Sequence, residues 1–306
     1  MAAEGGEEEE IIVRYIYTGG LRGYPLDETR IIVTVDISVT VIPAYAFYGH
    51  YRIIEVICHE GVEKIEEFAF LQCESLRRVI MPGVKVVEEG AFETCDLNHV
   101  ECDKLETIGD GAFFGNKNLR SINLPSTRIV ERYAFWDCES LMNVKFGSKL
   151  ERLVDNAFND CRSLGRITIP LKDDLIARHN YSRRSGLCGC ENLNHVDLVE
   201  GPLHQTIAAL HLEKWRNDMN EAINCIAQIL ASADAGDNSV ENYREGEKAE
   251  AIRMWIRSVL GKIRQYQAEH YRLLDEVVST LELIPLPRDI AVNNVFPFLE
   301  LPLHMF

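Results

Sequence analysis

The dipeptide Ala-Phe returns six times, at Ala46-Phe47, Ala69-Phe70, Ala91-Phe92, Ala112-Phe113, Ala134-Phe135 and Ala157-Phe158. The steps between copies are 23, 22, 21, 22 and 23 residues. Unrelated secondary structure does not keep such a period. A fixed repeat of this length means identical units stacked into a solenoid, with one continuous core and a long patterned surface. Solenoids commonly use that surface for binding, so the repeat frames the functional question before any catalytic residue is sought.

Aligning the copies on Ala-Phe assigns further positions. Four residues before Ala stands an aliphatic: Ile42, Ile65, Val87, Ile108, Val130 and Leu153. Three after Phe stands a small polar residue or histidine: His50, Cys73, Cys95, Asn116, Cys138 and Cys161. A run of strand type follows, as in Leu76-Val79-Met81, Leu119-Ile122-Leu124, Leu141-Val144-Phe146 and Leu164-Ile167-Ile169. Pro82, Pro125 and Pro170 close three of these runs, where a strand must stop donating to a ladder. The short strand is expected to pair in parallel with its copy in the next unit. The Ala-Phe segment returns the chain, Ala permitting close backbone approach and Phe filling the centre. The Cys or Asn sits at the turn, where a small polar side chain bonds backbone groups left unpaired. One unit is a residue short, Cys95-Asp96-Leu97 in place of Cys-x-x-Leu, and a local kink is expected there.

The clearest single unit, Ile65-Glu66-Glu67-Phe68-Ala69-Phe70-Leu71-Gln72-Cys73-Glu74-Ser75-Leu76, resembles the BspA-like leucine-rich repeat. The resemblance covers roughly residues 31 to 200. It implies an α/β repeat fold: a right-handed, curved leucine-rich-repeat solenoid with a parallel β-sheet on one side. It also implies protein binding and, in some members, surface adhesion.

The flanks complete the organisation. Residues 1–29 read as an acidic N-terminal tail and lead-in. Residues 30–200 form the solenoid of about six to seven repeats. Within it, residues 30–41 are an N-terminal capping strand and residues 171–200 a degenerate last repeat with a basic insert at Arg178, Arg183 and Arg184. From residue 201 to 306 the period becomes helical. Ala208, Leu212, Trp215, Met219, Ala222, Ile226 and Ile229 fall three or four apart, predicting a helix over about 203–231. Ile252, Ile256, Val259, Ile263, Tyr266, His270, Leu273 and Val277 form a heptad seam on a second helix over about 247–282. The expected arrangement is an α-helical hairpin whose seam closes on itself, packs on the last repeat or accepts another helix, which would permit a dimer. A short helix over about 288–300 follows, in a tail from Leu286 to Leu299 that weakly resembles the start of an F-box.

Bulk properties remove several classes. The net charge is -16, which argues against nucleic acid, whose phosphates need a basic footprint, and against anionic membrane. No run approaches the roughly 20 apolar residues of a membrane span. Nine cysteines without a signal-peptide pattern at Met1–Glu10 fit a reducing, cytoplasmic setting better than a disulfide framework. Cys73, Cys95, Cys138, Cys161 and Cys190 occupy one repeat position and read as a ladder of buried thiols. Adjacent rungs near strand spacing also leave disulfides geometrically open. No nucleophile elbow, P-loop or dinucleotide fingerprint occurs, no metal or cofactor is expected, and the chain reads as a non-enzyme.

In the strand runs the aliphatics point inward and the residues flanking the second aliphatic point outward. The candidate partner-binding face is therefore Glu55 and Ile57, Arg78 and Ile80, His99 and Glu101, Ser121 and Asn123, Asn143 and Lys145, Arg166 and Thr168, and His195 and Asp197. Ile57 and Ile80 offer an apolar anchor; Arg78, Lys145 and Arg166 offer charge. The leading expectation is a non-enzymatic protein-protein interaction module, binding a protein partner on this concave face or on the helical hairpin. The alternatives are a ubiquitin-ligase substrate receptor using the C-terminal tail and a surface adhesion protein.

Overall fold

The computed structural model describes residues 12–20, 30–154, 156–176, 187, 189–199, 213–234 and 247–282. The basic insert, the F-box-like tail and the helix expected over 288–300 lie outside these residues.

The repeats form a parallel solenoid with two rows of strands. The long row comprises β1 (Ile12–Tyr17), β2 (Arg30–Val35), β4 (Ile53–Ile57), β6 (Arg78–Ile80), β8 (His99–Glu101), β10 (Ser121–Leu124), β12 (Asn143–Phe146), β14 (Arg166–Ile169) and β15 (His195–Leu198). The opposite row is made of two-residue strands: β3 (Val41–Ile42), β5 (Lys64–Ile65), β7 (Val86–Val87), β9 (Thr107–Ile108), β11 (Ile129–Val130) and β13 (Arg152–Leu153). Each short strand carries the aliphatic that stands four residues before Ala. The short row is one continuous six-stranded sheet, whereas the long row divides into β1-β2-β4-β6-β8 and β10-β12-β14-β15.

Between the rows the Ala-Phe segments make their own ladder. The Phe47 amide donates to the Ala69 carbonyl at 2.7 Å, and Phe70, Phe92, Phe113 and Phe135 donate to the next Ala at 2.8 Å. This spacing carries the phenyl rings into a column. From Phe47 to Phe158 successive ring centroids lie 4.8, 5.1, 5.4, 5.3 and 5.0 Å apart, with planes within 9°. The column is the axis of the core. The six alanines beside it are buried, because a larger side chain would hold adjacent backbones apart.

Each turn needs two left-handed residues. One precedes Ala: Tyr45, Phe68, Gly90, Gly111, Tyr133 and Asn156, with φ from 54° to 61°. The other precedes the Cys/Asn slot: Gly49, Gln72, Thr94, Gly115, Asp137, Asp160 and Gly189, with φ from 53° to 72°. Non-glycine residues in this region are uncommon, and a β-branched one is a genuine outlier. Thr94 (φ 53°) is that outlier, and its Oγ1 is buried without a hydrogen-bond partner. Thr94→Gly is expected to stabilise the fold by about 1 kcal/mol, since relief of strain and of an unsatisfied hydroxyl exceeds glycine's entropy cost. A rise in thermal midpoint checks this; a fall would show that Thr94 contributes packing that outweighs its strain.

The solenoid begins earlier than the repeat marker indicates. Residues 12–17, within the segment read as acidic lead-in, form β1, which pairs in register with all of β2 from Ile12↔Arg30 to Tyr17↔Val35. Tyr17 caps the phenyl column, its ring 4.9 Å from that of Phe47.

At the other end the described residues form three helices, α1 (Glu213–Asn224), α2 (Ile226–Asp234) and α3 (Glu247–Glu282). The predicted first helix is broken at Cys225. At the break the Ala222 carbonyl accepts from Trp255 Nε1 of α3 at 2.8 Å and from the Cys225 thiol at 3.1 Å. Such side-chain insertion is a recognised cause of helix kinks. The α3 seam residues Ile252, Ile256, Val259 and Ile263 are buried against α1 and α2. Asp218 of α1 binds Lys262 Nζ at 2.7 Å and the Tyr266 hydroxyl of α3. The helical unit also closes the solenoid. α2 packs on β15, Lys248 Nζ donates to the Glu191 and Cys190 carbonyls at 2.7 and 3.2 Å, and Arg257 pairs with Asp173 at 3.3 Å. The seam expected on the long helix thus closes within the helical unit, and that unit also packs on the last repeat.

Candidate functional site

The repeat-position cysteines form a hydrogen-bond ladder. Each thiol donates to the carbonyl of the preceding unit's core Phe: Cys73 to Phe47 at 3.0 Å, Cys95 to Phe70 at 3.1 Å, Cys138 to Phe113 at 3.2 Å, Cys161 to Phe135 at 3.0 Å and Cys190 to Phe158 at 3.1 Å. All described cysteines are free thiols. Burial pushes Cys138, and likewise Cys58 and Cys102, up to about 12, and pushes Cys95 and Cys161 well above the ordinary thiol value. A thiol held neutral is neither a nucleophile nor a metal ligand. Brief iodoacetamide treatment of the native protein at pH 8 is expected to leave Cys73, Cys95, Cys138, Cys161 and Cys190 unmodified by peptide mass spectrometry. Rapid native labelling of the ladder would contradict this account.

Asn116 takes the same slot with a different task. Its Nδ2 donates to the Phe92 carbonyl at 2.8 Å, as a thiol would, and also to the Phe113 carbonyl at 2.9 Å. Its Oδ1 accepts from the Leu97 amide at 3.2 Å. In other units the corresponding leucine amide bonds the slot residue's own carbonyl, as Leu76 to Cys73 at 2.9 Å and Leu141 to Cys138 at 3.0 Å. The one-residue deletion at Cys95-Asp96-Leu97 removes that turn, and Asn116 supplies the missing acceptor from the next unit. The long sheet is interrupted at the same place, between β8 and β10. A cleft there is lined by Arg77, Asp96, Asn98, Asn118 and Arg120.

The fourteen outward positions fall into two rows on each half of the long sheet. On the first half Glu55 is in register with Arg78 and His99, and Ile57 with Ile80 and Glu101. Arg78 lies between Glu55 (3.4 Å) and Glu101 (3.2 Å), and His99 Nε2 is 2.8 Å from Glu101. Hydrogen bonds from His99 and Arg78 hold the Glu101 carboxyl below its usual range. Ile57 and Ile80 are half-buried, so the apolar anchor is shallower than full exposure would make it. The rows extend through residues the repeat alignment did not reach: Ile32 and Arg14 continue the first, Thr34 and Ile16 the second. Ile16 is 62% exposed. The alternation Ile12-Val13-Arg14-Tyr15-Ile16-Tyr17 is the sequence signal that points to them.

On the second half Ser121, Asn143, Arg166 and His195 form one row, and Asn123, Lys145, Thr168 and Asp197 the other. These eight side chains floor a groove of about 990 Å³. Its wall is the α1–α2 break, Ile223, Asn224, Ile226 and Ala227. The structure thus gathers eight of the candidate residues against a helical wall and leaves the other six on the adjoining open sheet.

The sequence matches a family profile, "BspA type Leucine rich repeat region", in six copies over residues 40–165 and 106–205. Comparison with curated protein sequences finds no match. Among solved structures, a T. pallidum leucine-rich repeat protein is similar at 23% identity, covering 60% of this chain and 85% of that one, with a TM-score of 0.45. A leucine-rich repeat protein from Bacteroides ovatus is similar at 19% identity, covering 62% and 69%, with a TM-score of 0.21. A leucine-rich cell surface protein from Faecalibacterium prausnitzii is similar at 17% identity, covering 63% and 88%, with a TM-score of 0.19. Among the described residues no helix is long and apolar enough to cross a membrane. The periodic Ala-Phe column, the slot ladder and the profile match over more than half of the sequence lead to one assignment: the chain belongs to the BspA-type leucine-rich-repeat family.

Proposed function

We propose that this chain is a non-enzymatic protein-interaction module whose partner docks on the concave long sheet. A leucine-rich-repeat solenoid is a scaffold typical of proteins that act by binding. The observation that carries the reading is the pair of in-register side-chain rows, running along both halves of the sheet on a frame built from backbone ladders. Rigid rows of this kind present fixed contacts at low ordering cost, which favours specific association. Ile16, Ile57 and Ile80 provide the apolar contact, and Arg78, Lys145 and Arg166 the charged ones.

Affinity purification with mass spectrometry identifies the partner, and titration calorimetry then measures its affinity. The variant Ile57→Ala, Ile80→Ala, Arg78→Ala, Arg166→Ala is expected to bind at least ~10-fold more weakly, as truncation of central interface contacts does. Unchanged affinity in a variant that melts like the parent would remove the concave face as the docking surface.

A further inference from the structure

The two halves of the long sheet differ in how their polar groups are engaged. On the first half Glu55, Arg78, His99 and Glu101 are engaged with one another. On the second half Ser121, Asn123, Asn143 and Thr168 make no side-chain hydrogen bonds to the described residues, and Lys145 has no carboxylate partner among them. Arg166 meets Asp197 at 3.4 Å with both side chains about half exposed, a weak pair. The groove floor therefore holds two cations against one carboxylate, in a chain whose net charge is -16. Its end wall carries the apolar Ile223, Ile226 and Ala227 beside the exposed Asn224, with Ile226 buried and Ile223 partly so.

We infer that this groove is a recognition site for an extended acidic peptide segment carrying an aliphatic residue. The inference rests on the protein-binding reading above and names the chemistry of the partner. Lys145 on β12 and Arg166 on β14 are diagonal neighbours on one face, one strand and two residues apart in register. Side chains that share one face of an extended peptide are spaced two residues apart, about 7 Å, and two carboxylates at that spacing reach the two cations. Asn123 and Asn143 offer amide groups to the peptide backbone, in the manner of open donors and acceptors that gain more from a ligand than from water alone. The helical wall takes the aliphatic side chain. An acidic ligand is drawn to a cationic floor and repelled from the rest of this acidic surface, which concentrates binding at one place.

The test uses the full chain and three fluorescein-labelled octapeptides in anisotropy titrations: alternating Glu and Leu, alternating Gln and Leu, and alternating Lys and Leu. The Glu peptide is expected to bind at least ~10-fold more tightly than the Gln peptide, and Lys145→Glu to weaken it by a similar factor while leaving the melting temperature unchanged. Ile226→Asp probes the wall and is expected to weaken the same peptide; Ala227→Asp, at an exposed wall position, repeats that measurement where Ile226→Asp perturbs folding. Equal affinity for the three peptides, or no effect of Lys145→Glu, overturns the inference. Tight binding of heparin with none of the Glu peptide overturns it in favour of a sulfated glycan. Loss of the natural partner on changing Ile57 and Ile80, with Lys145→Glu silent, overturns this site while preserving the concave-face reading.

Discussion

Phe113→Ala is expected to destabilise the solenoid by about 3–5 kcal/mol, the range for removing a fully buried aromatic side chain. Phe113 is fully buried, with stacked rings at 5.4 Å on one side and 5.3 Å on the other. Collapse into the cavity is opposed because the alanine ladder fixes the spacing of the neighbouring turns. In repeat proteins stability is the sum of intrinsic repeat terms and interfaces between neighbours, so loss at a central turn weakens two interfaces at once. The expected result is an early unfolding step, or a single transition at much lower denaturant, in circular dichroism monitored with urea. Phe47→Ala, at the end of the column, should cost less. Equal effects at the two sites would show that the column is not a coupled element.

The second expectation concerns Asn116. Asn116→Ala leaves the Leu97 amide and the Phe92 and Phe113 carbonyls without this side chain, at a cost of about 3 kcal/mol or more. Asn116→Cys restores what the ladder normally provides, a donor to the Phe92 carbonyl, but offers the Leu97 amide no comparable acceptor. It should still cost about 1–3 kcal/mol, the penalty for one buried unsatisfied donor. Inserting one residue between Asp96 and Leu97 restores the Cys-x-x-Leu spacing and hence the local turn. In that background Asn116→Cys should be close to neutral. A double-mutant cycle of chemical denaturation reads the coupling, expected at about 1–2 kcal/mol. Additive effects would mean that Asn116 and the short repeat are independent features.

The contrast between what was and was not readable follows the range of the interactions. Phe70 or Ile122 can be placed from one repeat because their environment is copied from turn to turn. The outward rows were legible for the same reason, since alternation along each strand sets the face. β1 was not, because it precedes the Ala-Phe marker and directly follows an acidic run. The break at Cys225 was hidden by an unbroken helical period through Trp215, Met219, Ala222 and Ile226. Its structural signature is a bond to the Ala222 carbonyl from Trp255, thirty-three residues later than Ala222. The wall of the candidate groove depends on α2 meeting β15, a contact between two different periodicities that neither pattern encodes. Asn116 stood in the sequence as an exception to a cysteine slot, and the deletion at Asp96-Leu97 as a separate irregularity. Only the 3.2 Å contact joins them.

That contact limits how the molecule can be rebuilt. A turn excised or duplicated between Cys95 and Asn116 would separate a shortened unit from the side chain that completes it. Among the turns whose slot is a cysteine, one turn can follow another with the same slot chemistry. Modular lengthening or shortening of this scaffold is therefore permitted within residues 69–90 and 117–158, and the pair of turns that meet at Asn116 must be moved as a single block.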